Sequence, residues 1–272
     1  MHQEGTRYRA TIQYDGSGFS GWQAQPGVRT VQGDLEAALA RLGIYGRVAA
    51  AGRTDTGVHA TAQEISFDSG RNWSPDDLAR ALDAVTPDGL WIESVRQAEP
   101  DFHPRFQATG RRYEYYVVPG RAGRSPLRRR SVWGVEPAPD WERLSSAAGL
   151  LVGEGDFGAL SRAGQPELGT RCRIETAEWI HTPLGDLCFT IVADRFLHRM
   201  VRYLVSVQVE IGTGRRVEEE LRDLLRAEEN VRPPAPAPAC GLYLTGVRYP
   251  EGWNRPPGVP GFWRPEGDEP RS

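Results

Sequence analysis

Lysine is absent from the 272 residues, so all 33 basic side chains are arginine. Genomic base composition is enough to account for such a bias. Its physical consequence stands regardless: every cation is a planar fork suited to phosphates and to the faces of bases. Cysteine is scarce as well. Cys172, Cys188 and Cys240 are odd in number and lack C-x-x-C spacing, which argues against a disulfide frame or a cysteine zinc site and fits reduced thiols. No apolar run approaches the roughly 18 residues that a membrane span requires. The opening Met1-His2-Gln3-Glu4-Gly5-Thr6 has no apolar signal core, so secretion is not expected and a cytoplasmic location is. A net charge of −3 argues against a uniformly basic nucleic-acid binder, although the distribution of charge matters more than its sum.

With 39% apolar and 25% charged residues, the chain reads as one large globular domain or two ordinary ones. Eight arginines (105, 111, 112, 121, 124, 128, 129 and 130) stand against the single acid Glu114 between Arg105 and Arg130, whereas Glu218 to Glu229 is acidic. A basic face on a mildly acidic protein follows. Tyr8 to Tyr14 alternates with period two and predicts a strand. Thr30 precedes a helical pattern carrying Val31, Leu35, Leu39 and Leu42, with Gly43 placed to end it. Short strands are expected over Arg47 to Ala51 and Ala62 to Phe67. Ser74-Pro75-Asp76-Asp77 opens a second helix with a capping hydroxyl, an early proline and first-turn acids. Leu90 to Val95 closes the set as a strand. The order is β-α-β-β-α-β, the ferredoxin-like split arrangement.

The second half is expected to repeat that order. Arg111 to Val118 predicts a strand, Trp141 to Leu151 a helix, and Ile174 to Ile180 with Leu187 to Ala193 a hairpin. A long apolar helix over Phe196 to Ile211, an acidic one over Val217 to Ala227 and a strand over Gly241 to Tyr249 complete it. Arg232 to Ala239 is proline-rich and reads as an extended linker. The fold class expected is therefore α+β: two ferredoxin-like, RRM-like halves with antiparallel sheets side by side and a catalytic cleft between them. The boundaries expected are 1–105, 106–250 and a Pro/Gly-rich tail over 251–272.

The densest chemistry lies in Ala51-Gly52-Arg53-Thr54-Asp55-Thr56-Gly57-Val58-His59. It gathers a carboxylate, a guanidinium, hydroxyls and an imidazole between glycines. Taken alone, it is as compatible with a tight, carboxylate-capped turn as with an active site. Asp15 to Gln23 is a Gly/Ser loop that reads equally as a nucleic-acid contact or as a long turn with Trp22 in the core. Asp101-Phe102-His103-Pro104-Arg105-Phe106 interleaves the residue types that stack on unpaired bases and grip phosphates. Tyr113 and Tyr115 share a strand face, one as core filler and one free to stack on a ligand ring. Arg195, Arg199 and Arg202 fall at i, i+4 and i+7 on an apolar helix, where a guanidinium needs a partner; Asp55 is the candidate. His59 and His103 have no metal-ligand spacing and are read as hydrogen-bonding groups.

These segments, with Tyr14-Asp15-Gly16 to Gly21-Trp22-Gln23, Arg111-Arg112-Tyr113, Phe196 to Arg202 and Gly241-Leu242-Tyr243-Leu244, make the chain resemble the tRNA pseudouridine synthase A family. Six motifs stand in family order from residue 14 to about 250. The resemblance implies an isomerase that converts uridine to its C-glycoside at positions 38 to 40 of the tRNA anticodon arm, without a cofactor or metal and as a homodimer. By resemblance Asp55 is the essential carboxylate, as nucleophile or as initiator of a glycal route. Arg202 is its charge partner, and Tyr113 stacks on the target base. Arg53 fills the space left by the extruded nucleotide. Phe102, His103, Arg105, Phe106, Arg111, Arg112 and Arg171 join Arg53 and Tyr113 as expected RNA contacts. Thr56 and Thr61 depart from the smaller residues commoner in the family. A non-catalytic RNA-binding or chaperone protein on the same scaffold is the runner-up. A hydrolase would want a second carboxylate or a metal cluster, and no motif supplies one.

Overall fold

The computed structural model describes residues 5–162, 169–226 and 233–254. It is a mixed α+β fold of two compact units, 5–109 with 244–254 and 110–243. The boundary thus falls after Thr109, and the final strand is divided, its residues from Leu244 onward belonging with the first unit.

The first unit contains β1 (Thr6–Tyr14), α1 (Val31–Arg41), β2 (Ala49–Ala50), β3 (His59–Ser69), α2 (Pro75–Val85) and β4 (Leu90–Gln97), the order expected from the sequence. Strand β1 lies between β3 and β4, antiparallel to both, and β2 pairs with β3. Local rules set both helix starts. The Thr30 hydroxyl accepts Gly33 N–H at 3.2 Å, and the Ser74 hydroxyl accepts Asp77 N–H at 3.2 Å ahead of Pro75. Leu35, Leu39, Leu78 and Leu82 are buried to 2% exposure or less. Each such leucine contributes about 1.5–3 kcal/mol of burial free energy.

Opposite Tyr8, Ala10 and Ile12 on β1, Arg9 and Thr11 point to the other sheet face, where they meet Glu64 of β3. The Glu64 carboxylate is fully buried and bonds to Arg9 and Thr11. Arg9 also reaches Glu251 at 2.5 Å, and its guanidinium lies 4.6 Å from the Phe102 ring and 4.0 Å from that of Tyr249. Burial alone would depress the Arg9 guanidinium; Glu64 and Glu251 outweigh it and hold it above its ordinary value. Residues 251–254, expected to open a loose tail, are therefore built into this unit. Glu251 bonds Arg9, and Asn254 donates to Ala62 C=O at 3.1 Å and accepts Val247 N–H at 3.0 Å. The rest of the expected tail, 255–272, lies outside the described residues.

The second unit orders its strands β5 (Gly110–Pro119), β9 (Leu187–Ala193), β8 (Arg171–His181) and β7 (Gly153–Asp156), all antiparallel. The short β6 (Trp133–Val135) runs parallel to β5. Strands β6 and β7, of three and four residues, are too short for a periodic signal and were not expected. Helices α3 (Trp141–Gly149), α4 (Met200–Gly212) and α5 (Glu218–Leu225) complete the unit, and β10 (Leu242–Tyr249) begins in it. Helix α4 is buried on nearly all sides, and its one internal amide is satisfied: Gln208 accepts Trp179 Nε1–H at 2.8 Å and donates to Leu204 C=O at 2.9 Å.

The sequence pattern placed the start of α4 at Phe196; it begins at Met200. Arg199 caps it in the left-handed region, with φ of 62°, a conformation that costs a non-glycine residue about 1–2 kcal/mol. The expected stripe of Arg195, Arg199 and Arg202 therefore does not exist, and only Arg202 is on the helix. Similarly, 233–238 of the expected linker is extended but bonded to the unit, while Arg232 and Ala227 lie outside the described residues.

Candidate active site

The Asp55 segment links β2 to β3. Asp55 C=O accepts Val58 N–H at 3.1 Å, closing a turn whose third residue, Gly57, has φ of 80°. That angle is what a type II turn demands and what glycine adopts without penalty. Thr54 and Val58 are buried on either side, while Arg53 and Thr56 are exposed and Asp55 is half-buried. The turn is held from beneath. The Thr54 and Tyr14 hydroxyls meet at 2.8 Å, and Gln63 Nε2 donates to Tyr14 Oη (3.3 Å) and to Gly52 C=O (2.9 Å).

The Asp15–Gln23 loop is the second support. Trp22 N–H donates to Thr54 C=O at 3.0 Å, and Gly16 N–H donates to His59 Nδ1 at 3.1 Å. A Cβ on Gly16 would stand 2.0 Å from Val58 O, so the two loops touch backbone to backbone. Trp22 is 3% exposed; of the two readings open for this loop, packing is the one observed. Sequence reasoning missed Tyr14, Thr54 and Gln63 as supports. Their polarity inside a strand-rich core was the available signal, since a buried hydroxyl or amide needs a partner.

In the same unit Phe102 is buried against Tyr249, ring centroids 5.4 Å apart, and so faces inward. Its neighbours face out. Phe106 is 77% exposed and rests on the His103 ring at 4.3 Å, with the Arg105 guanidinium 6.0 Å from its centroid. His103 Nδ1 accepts Arg105 N–H at 3.1 Å. Burial, with the charges of Arg7 and Arg105, pulls the imidazole below its ordinary value.

In the second unit Tyr113 and Tyr115 share one face of β5. Tyr115 is fully buried, and its hydroxyl donates to Pro238 C=O at 2.7 Å. Tyr113 is 9% exposed and meets the edge of Phe196 at 5.0 Å. Arg202, in the first turn of α4, donates from Nε to Ala237 C=O at 2.7 Å. Arg111 donates to Asp194 C=O at 2.9 Å, Arg112 lies 3.4 Å from Glu114, and Arg171, exposed at the start of β8, lies 3.7 Å from Glu154. Among the described residues no group of three or more His, Cys, Asp or Glu is disposed to hold a metal, and no helix is long and apolar enough to cross a membrane.

A family model described as "tRNA pseudouridine synthase" matches residues 10–107 and 147–250. The chain belongs to the tRNA pseudouridine synthase family. Its relatives named "tRNA pseudouridine synthase A" include one from Chlorobium limicola, 40% identical over 89% of this chain and 98% of the relative. One from Solidesulfovibrio magneticus is 39% identical over 97% and 96%, and one from Neisseria gonorrhoeae is 38% identical over 96% of each. A solved structure titled "Crystal Structure of a Cbf5-Nop10-Gar1 Complex" aligns over 75% of this chain and 54% of that one. Its TM-score of 0.33 and 9% identity are too low to carry an argument. The spans matched to the pseudouridine synthase family hold Asp55 and Arg202, while Tyr113 falls in the stretch between them.

Proposed function

We propose that this member of the tRNA pseudouridine synthase A family isomerises uridine to pseudouridine at positions 38 to 40 of the tRNA anticodon arm, with Asp55 as its catalytic carboxylate. One observation carries the assignment of Asp55. It is the half-buried carboxylate of a turn immobilised by Tyr14, Thr54, Gln63 and the Gly16 loop. Preorganisation of that kind is what a group acting on a reacting centre needs. In the reaction the N1–C1′ bond breaks, the uracil turns, C5 bonds to C1′, and the C5 proton leaves to solvent as N1 gains one. Asp55 either adds to the nucleoside or starts glycal formation by taking a ribose proton.

Each of the two units is a ferredoxin-like half. Arg202 serves as the charge partner of Asp55. Tyr113 stacks on the uracil and assists loss of the C5 proton. Arg53, exposed two residues before Asp55, fills the gap left by the extruded nucleotide. Phe106 with His103 and Arg105 forms a platform for an unpaired base, and Arg111, Arg112 and Arg171 contact phosphates. The enzyme needs no cofactor, works in the cytoplasm and acts as a homodimer. A monomer in sedimentation at working concentration would remove the last point.

Release of tritium from tRNA labelled at uridine C5 measures the reaction directly. Wild-type protein is expected to release it, and Asp55→Ala to release none while still binding tRNA. Release by the Ala variant at the wild-type rate would remove Asp55 as the catalytic carboxylate, and tRNA binding by wild-type protein without release would favour the RNA-chaperone alternative.

A further inference from the structure

The Pro-rich stretch expected as a linker makes directed bonds that a linker does not need. Its prolines fall at 233, 234, 236 and 238, so within Pro233–Pro238 only Ala235 and Ala237 retain a backbone N–H. Each alanine also precedes a proline, which confines it to extended conformations. Ala237, 2% exposed, spends both backbone groups on one residue. Its N–H donates to Arg202 C=O at 3.0 Å, and its C=O accepts Arg202 Nε–H at 2.7 Å. The next carbonyl, that of Pro238, takes the Tyr115 hydroxyl at 2.7 Å. Burial holds Tyr115 well above its ordinary pKa, so it stays a donor at every working pH.

An arginine in a first helical turn loses much rotamer freedom when held in one orientation. Here the guanidinium is fastened through Nε to a segment stiff before it folds, and the next residue of that segment is pinned by a buried phenol. We propose that residues 236–238, fixed by the Tyr115 hydroxyl, form the positioning strut that aims the Arg202 guanidinium, and that Tyr115 serves the reaction only through this strut. The proposal rests on the reading of Arg202 as charge partner of the Asp55 carboxylate. Loosening the strut lets the guanidinium sample other orientations, which lowers kcat while tRNA binding holds.

The test uses the full chain with tRNA labelled at C5. The variants are Tyr115→Phe, the double variant Pro236→Ala/Pro238→Ala and, for reference, Arg202→Ala. Tyr115→Phe is expected to lower kcat roughly tenfold and leave KM for tRNA within about twofold. The double proline variant, which removes no buried hydroxyl, lowers kcat by less and likewise leaves KM in place. Unchanged kcat in the strut variants, with only a lower melting temperature, would overturn the proposal, provided Arg202→Ala lowers kcat. Were Arg202→Ala to leave kcat in place, the failure would belong to the reading of Arg202 itself. If Tyr115→Phe fails to fold, the double proline variant decides by the same split between kcat and KM.

Discussion

The two units hold their proposed catalytic groups by opposite means. In the first, Asp55 is fixed by loop against loop, at a backbone approach so close that a single Cβ on Gly16 would lie 2.0 Å from a carbonyl oxygen. In the second, Arg202 is fixed by a stiff segment touching its side chain through two bonds to Ala237. The first device is steric and all-or-none. The second works by lowering the freedom of a flexible group, so it is graded. Substitutions should therefore break the first abruptly and erode the second.

The largest effect is expected from Gly16→Ala. The added methyl must displace Val58 and with it the turn that presents Asp55, and a displacement of about 1 Å at a reacting group can cost on the order of 100-fold in rate. Turnover assays and a thermal melt together check it; a variant with wild-type kcat would show that the loop contact is not what positions the carboxylate. Next comes the buried pair beneath the same unit. Arg9→Ala strands Glu64 without its main partner and is expected to cost about 3–5 kcal/mol in chemical denaturation. Glu251→Ala removes a carboxylate that is 61% exposed and should cost about 1 kcal/mol or less. Similar losses from both would mean that Glu64 is not the group that makes this network costly to break.

The smallest effect concerns affinity alone. Arg121 and Arg129 are exposed in an ordered loop between β5 and β6 and make no salt bridge among the described residues. If they meet tRNA phosphates, Arg121→Ser/Arg129→Ser should lower the slope of log affinity against log salt by about 0.7–0.9 per lost contact, with kcat unchanged. An unchanged slope would remove this loop from the RNA surface.

Features set by local rules were legible in the sequence. Thr30 and Ser74 cap their helices because hydroxyl, proline and first-turn acids act within one turn. Asp55 stood out because its loop concentrates reactive groups between glycines. Features set by distant partners were not legible. The spacing of Phe196 and Met200 is helical, yet Arg199 turns left-handed where Arg162 N–H binds the His198 carbonyl at 2.9 Å. Phe102 has the composition of a surface loop and is buried because Arg9 and Tyr249 lie against it. The prolines of 233–238 look like a spacer by composition; their bonds go to residues 35 and 123 positions away. Composition carries no information about such partners, and only the folded chain brings them together.

The most direct test is position-resolved mapping of pseudouridine in tRNA after incubation with purified protein, wild-type and Asp55→Asn in parallel. Asn keeps the size and polarity of the side chain but cannot act as a carboxylate. The expected result is pseudouridine at one or more of positions 38, 39 and 40 with wild type, and none with Asp55→Asn at equal tRNA occupancy. Modification by the Asn variant at the wild-type rate, or wild-type activity confined to other positions, would contradict it.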